Sequence, residues 1–348
     1  MIVFSLLGII LIIWTLVEIG MTTLTAQSAG PLTSRVMRLV WKACLKTFAE
    51  HPRRHSIFAM VGPTLLALTA VVWDFGIWIG WWLVFLGSGD SIVNSTTNQP
   101  ASALETLYFA GYTVTTLGLG DFKPSGGLWQ ILTAICAASG LLALTVSVTY
   151  LVAILSAAVQ KRQLALTIHG LGSTPCGILT TTWNGKDFSD LDALLPDMSS
   201  QIIMLGQQHM AYPALHYFHS IDAAAALPVR LAAFSEAIDA IATAVPDNVG
   251  PSQLALIQCQ RAIRTFLASM RTAHIDISEN QPSFPDLAPA AMQGVPVDLS
   301  ELGARNAGRR DRRLLFSLVV SDGWEWSDLE RVPDDELSDD EEEIARAV

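Results

Sequence analysis

"TVTTLGLGDFKP", residues 113–124, decides how this chain folds. Gly118 and Gly120 stand one residue apart, with threonines before them and Asp121 directly after. The segment lies between two long apolar runs. The stretch leading into it, "SALETLYFAGYTV", opens with Ser102 and Glu105 at the spacing of a capping box and predicts a helix over 101–114. Such a helix is too short to cross a bilayer, which takes about 20 residues. It therefore enters the membrane and returns. Non-helical backbone survives at membrane depth only when it is wrapped in protein or lines a watery cavity.

The apolar runs are Ile2 to Gly20, Ile57 to Gly87 and Gly126 to Gln160, and each is long enough to span. The chain of 348 residues is 51% hydrophobic and 15% charged, below the ~25% usual in soluble proteins. Its net charge is −11, yet residues 1–160 hold seven basic and six acidic residues, so the acidity belongs to the second half. A membrane part followed by a soluble part is implied. Arg35, Arg38, Lys42, Lys46, Arg53 and Arg54 crowd the first connection, whereas Lys123 is the one basic residue in the second. Basic residues collect in cytoplasmic loops, which predicts an outward N-terminus, a glycine segment entered from outside and a cytoplasmic C-terminal half. A cleaved signal peptide over residues 1–29 fits less well, for want of a basic leading region.

If several copies meet around an axis, successive backbone carbonyls can face inward and replace an ion's hydration shell. Gly118 and Gly120 permit the positive φ this needs. The Thr116 hydroxyl adds an oxygen at the inner end, and the C-terminal dipole of the short helix favours a cation.

"TTLGLGDFKP" resembles the selectivity-filter signature of potassium channels, and the surrounding order of helix, re-entrant helix, filter and helix is similar to their two-transmembrane pore module, here with an extra N-terminal transmembrane helix. The resemblance implies an all-α membrane protein, a homotetramer with permeant K+ ions in the filter and no other cofactor. It places Thr116, Leu117, Gly118, Leu119 and Gly120 on the ion-binding filter, with Asp121, Tyr112 and Thr115 in support. Gly140 falls on the gating hinge, and Leu141, Leu144, Val148, Thr149, Val152 and Ser156 fall on the pore-lining face. Leu119 replaces the signature's aromatic residue, and Tyr112 stands where many bacterial members have an acid that pairs with the filter aspartate. Its hydroxyl is expected to reach Asp121 instead.

The expected organisation is an N-terminal transmembrane helix at 1–24 and an amphipathic interfacial helix at 33–49. A pore domain follows at 57–160, with outer helix 57–87, pore helix 101–114, filter 115–121 and inner helix 126–160. In the helix at 33–49, Arg35, Arg38, Lys42 and Lys46 share ~80° of the wheel, opposite Val36, Met37, Trp41 and other apolar residues. That pattern predicts contact with anionic lipid of the inner leaflet. Asp74, near Trp73, Trp78, Trp81 and Trp82 of an expected aromatic belt, is assigned a structural hydrogen-bonding role.

The soluble half predicts an all-α cytoplasmic domain over 165–280, with helical periodicity in 198–220, 228–245 and 251–274. Thr174-Pro175 marks a helix start. "IHGLGSTPCG" lacks the preceding strand and following acid of a dinucleotide-binding loop. His209, His216 and His219 are expected as buried polar or subunit-contact residues rather than metal ligands. Residues 281–348 are taken as a Pro-rich linker and a largely disordered tail ending in eight acids among residues 334–343. Acidity of this kind excludes nucleic acid as a partner. No nucleophile–base pair stands out, so no enzyme is expected. No disulfide framework follows from Cys44, Cys136, Cys176 and Cys259.

The expected function is passive, potassium-conducting cation transport at the cell membrane, gated by movement of the inner helix coupled to the cytoplasmic domain. The alternatives are a weakly selective sodium/potassium channel, or a non-conducting receptor or scaffold with a degenerate pore module. A ladder of arginines such as voltage sensors carry is absent from the apolar runs.

Overall fold

The computed structural model describes residues 2–24, 30–273, 282–300 and 310–331. The chain divides into two compact units, one of residues 1–39 and 63–155, the other of residues 40–62 and 156–348. Among the described residues three helices are long and apolar enough to cross a membrane: α1 (Ile2–Leu24), α3 (Arg54–Leu86) and α5 (Gly127–His169).

In the first unit, α1 turns back into α2 (Pro31–Phe48) through side chains of α1 itself. The Glu18 carboxylate accepts the backbone N–H and the hydroxyl of Thr33, both at 2.9 Å, and the Thr22 hydroxyl accepts the Gly30 N–H. An anion at a helix N-terminus satisfies N–H groups that the helix leaves orphaned and meets the positive end of its dipole. Glu18 is thereby buried without being unpaired. Between α3 and α5 lie β1 (Ile92–Asn94), α4 (Ala103–Val114) and β2 (Phe122–Pro124). The two strands pair antiparallel, Val93 opposite Lys123, and so close the loop that carries the glycine segment.

The second unit is helical: α6 (Pro175–Thr182), α7 (Leu191–Ala211), α8 (Leu227–Ala244) and α9 (Gln253–Ala273) surround one apolar core. Thr174 caps α6 by accepting the Gly177 N–H, with Pro175 at the first position. Leu195, Met198, Ile202 and Leu205 of α7 meet Ile263, Phe266 and Met270 of α9, while α8 is buried nearly all round. The helix expected over 198–220 is shifted. It begins at Leu191 and stops at Ala211, because Pro213 has no N–H to continue the ladder, and residues 213–217 form a 3-10 turn instead.

A larger correction concerns the segment after 281, taken from the sequence as linker and disordered tail. Within it, α10 (Ala288–Met292), α11 (Arg310–Ser321) and a 3-10 turn at Trp326–Leu329 are folded into the domain. Leu314, Leu315, Leu318 and Val319 of α11 belong to the core. Five arginines stand among residues 305–313, ahead of this apolar patch, and do not forbid its burial, because Arg312 is satisfied where it lies. Its guanidinium meets the Glu236 carboxylate at 2.6 Å, donates to the Ser283 carbonyl at 2.9 Å and sits 4.1 Å over the Phe284 ring. Burial pushes the Glu236 carboxyl up, and Arg312 opposes that. The acidic run at 334–343 lies outside the described residues.

Candidate functional site

The re-entrant segment is built on α4. Its first turn carries the expected capping box: Glu105 N–H donates to the Ser102 hydroxyl and Ser102 N–H to the Glu105 carboxylate. Tryptophans of α3 hold its flank. The Trp78 indole donates to the Leu107 carbonyl and the Trp82 indole to the Ala103 carbonyl, each at 3.0 Å. Trp81 donates to the Ser139 hydroxyl of α5 at 2.8 Å, and Trp73 is buried against Tyr150. These rings were expected as an aromatic belt. The indole N–H groups of Trp78, Trp81 and Trp82 have partners inside the chain, which fix α4 between α3 and α5.

Past Val114 the helix ends on Thr115, whose N–H and hydroxyl both donate to the Gly111 carbonyl. The chain then runs back along the helix end. Leu117 N–H donates to the Tyr112 carbonyl at 2.7 Å, and Gly118 N–H reaches the same oxygen at 3.5 Å. From here the backbone alternates in hand: Thr116 has φ +58°, Gly118 +59° and Gly120 +87°. Positive φ at every second residue turns successive carbonyls to one side of the strand. The glycines were expected to adopt it. Thr116 was not, and a β-branched residue in that region is a genuine outlier that costs on the order of 1–3 kcal/mol. Within one chain all of residues 115–121 are exposed.

The outer end is fastened by side chains, and here the expectation needs correcting. Tyr112 does not reach Asp121. Its hydroxyl donates to the Phe122 carbonyl at 2.7 Å, and it is Tyr108 that donates to the Asp121 carboxylate, at 2.9 Å. One helical turn separates the two tyrosines, and their rings meet edge to face at 5.2 Å. Ser95, which the sequence did not single out, donates its hydroxyl to the Gly120 carbonyl at 2.6 Å and its N–H to the Asp121 carbonyl. Gly120 therefore has its carbonyl engaged at the outer loop, unlike the residues below it. The Ser95 signal is absent from the motif, because the contact crosses 25 residues and is made by β1–β2 pairing.

On α5, Gly140 lies where a Cβ would run into the carbonyl and side chain of Val114. The glycine lets the inner helix approach the end of α4, and α5 is unbroken through it. Leu141, Leu144, Val148, Thr149, Val152 and Ser156 are exposed in the chain, while Ala143, Ser147, Tyr150 and Ile154 between them are buried. On α2, Arg35, Lys42 and Lys46 are exposed and Arg38 is half-buried. The apolar side of that helix is not free along its length: Trp41 packs on Phe58 and Tyr217 at 5.7 Å and donates to the Ser321 carbonyl. Asp74 is half-buried on α3.

The histidines separate. His209 is buried with Nδ1 on the Leu205 carbonyl at 3.0 Å and its ring edge-on to Phe266, and burial pushes its pKa down to about 3. His219 lies in a different cluster, with His55 and Asp322. No group of three or more His, Cys, Asp or Glu residues that could hold a metal ion occurs among the described residues.

Residues 68–157 match the family model described as "Ion channel". Over 322 residues the chain is 35% identical to the uncharacterized membrane protein YdjJ of Bacillus subtilis (strain 168), covering 92% of this chain and 94% of that one. No solved structure matches. The pore match coincides with the glycine segment and the helices that hold it. The chain belongs to the family of membrane proteins that includes YdjJ, and carries at residues 68–157 an ion-channel pore domain of the two-transmembrane potassium-channel type.

Proposed function

We propose that four copies of this chain assemble around residues 115–121 into a passive cation channel that conducts potassium. The observation that carries this reading is the alternation of hand at Thr116, Gly118 and Gly120, with the intervening Leu117 N–H tied back to Tyr112. Backbone N–H groups occupied on the helix side leave carbonyls for the other side, where a ring of copies would replace an ion's water. The exposed row from Leu141 to Ser156 would line the pore below the filter. Gly140 would let α5 bend as the pore opens, and Arg35, Lys42 and Lys46 would meet anionic lipid at the cytoplasmic face, each worth about 1 kcal/mol there.

Leu119 favours a second reading within the same class. It is half exposed and offers no hydroxyl, so the filter is held by Tyr108, Tyr112 and Ser95 rather than by an aromatic ring of its own. Weak discrimination between potassium and sodium would follow. Purified protein in liposomes tests conduction. Potassium efflux that charges the vesicle interior and disappears on Gly118→Ala is expected; vesicles no leakier than empty ones would contradict the proposal.

A further inference from the structure

Two histidine rings in the second unit, half-buried His55 and buried His219, have every nitrogen committed. Arg54 Nε–H donates to His55 Nε2 at 3.2 Å, so the ring proton of His55 must sit on Nδ1. His55 Nδ1 lies 2.8 Å from His219 Nε2 and donates to it. The ring proton of His219 is then on Nδ1, which faces the Asp322 carboxylate at 3.2 Å. The other carboxylate oxygen of Asp322 lies 4.0 Å from Lys161 Nζ, which donates to the Phe218 carbonyl. Donors and acceptors match along the whole chain only while both rings are neutral.

We propose that Arg54–His55–His219–Asp322 is a proton-operated latch: with both rings neutral it fastens the first turn of α3 to the segment that follows α11, and one added proton releases Arg54. The position of the break follows from the tautomers. A proton on His55 Nε2 sets N–H against the Arg54 N–H and a cation against a cation. A proton on His219 Nε2 faces the His55 Nδ1–H, and His55 can yield only by moving its own proton to Nε2. Both routes end at the contact with Arg54.

The charged and titratable groups around the rings agree with this. Arg54 pairs with Glu325 at 3.4 Å, Lys161 with Asp322, and Asp328 with Arg331, so the site is balanced before a proton arrives. His216 stands against Tyr217 on the neighbouring turn and adds no anion. Burial alone would raise the Asp322 carboxyl, but Lys161 and His219 hold it below its usual range. His219 and Asp322 have side chains 0% and 2% exposed, so an uncompensated charge there is costly. Trp324 stacks on His55 with centroids 4.0 Å apart, and an indole face attracts a cation. The charged ring therefore stays on Trp324 and Arg54 is the group that leaves.

Arg54 opens α3, and Lys161 lies on α5, the helix of the proposed pore lining. The effect on current rests on the channel reading; the latch does not. The test is hydrogen exchange of the full-length chain in lipid nanodiscs at about pH 7.5 and about pH 4, corrected for intrinsic exchange, since a half-buried ring beside the Arg54 guanidinium takes its proton only below the free-histidine range. Amides of 54–58 and 322–328 should lose protection by ~tenfold or more at the lower pH, as local opening would produce, and the double variant His55→Asn, His219→Asn should show no such loss. Equal protection of the wild type at both values, or an undiminished response in the double variant, would overturn the latch. Solid-state 15N spectra of wild-type histidines decide independently of variant folding: Nδ1–H on both rings near neutrality and charged rings in acid are expected, and Nε2–H on either ring near neutrality refutes the relay. A silent liposome assay would remove the channel reading and leave these outcomes untouched.

Discussion

Thr116, Gly118 and Gly120 share one backbone requirement but meet it differently. At Gly118 nothing in the chain lies within 4 Å of where a Cβ would be, so Gly118→Ala is not excluded by packing inside one subunit. Its cost is conformational, roughly 1–2 kcal/mol per subunit for an L-residue in the left-handed region, with the added methyl in the proposed ion path. Loss of current with oligomers preserved on size-exclusion chromatography is the expected outcome; ordinary current would count against the filter assignment. Leu119 gives the second residue-scale prediction. The Tyr108 and Tyr112 hydroxyls are already engaged on Asp121 and Phe122, so a ring at 119 would add a support rather than replace one. Leu119→Tyr should raise the potassium-to-sodium permeability ratio by the stiffness of about one hydrogen bond, ~0.5–1.5 kcal/mol, per subunit. An unchanged ratio would mean that Ser95 and the two tyrosines already set the filter's size.

Elements are placed by contacts of different range, and range decides what the sequence discloses. The capping box of α4 is local, its two residues three apart, and legible at once. The indole clamp is not: Trp78 meets a backbone carbonyl 29 residues away, and a carbonyl carries no residue identity in a sequence. The same holds for Ser95 on Gly120. Tyr108 and Tyr112, both within reach of the outer mouth, could be told apart only once the helix phase was known. α11 was missed because five arginines before an apolar patch resemble a solvated tail; the partner that lets Arg312 be buried, Glu236, lies 76 residues earlier. Trp78→Phe keeps the ring beside Gly111 and removes the donor to Leu107. It should lower oligomer stability by about 0.5–1.5 kcal/mol per subunit, seen as a lower thermal midpoint. No shift would show that ring packing alone holds the pore helix.

At the scale of the whole molecule, the second unit is built to keep His209 uncharged. Its pKa falls from 6.5 to about 3 on folding, chiefly through burial. Between those values the unfolded chain binds the proton and the folded one does not, so stability is complete above pH 6.5 and declines as pH falls toward 3. Circular dichroism melts of the full chain should show this acid loss, and His209→Gln should flatten it; an identical acid profile would place the sensitivity elsewhere.

Conduction itself is tested most directly by a reversal potential across a bilayer holding purified protein, with potassium on one side and sodium on the other. The account predicts a current that reverses toward the potassium equilibrium potential and that shifts further toward it in Leu119→Tyr. A current that reverses at the anion equilibrium potential, or no current from protein that has kept its oligomeric state, would contradict it.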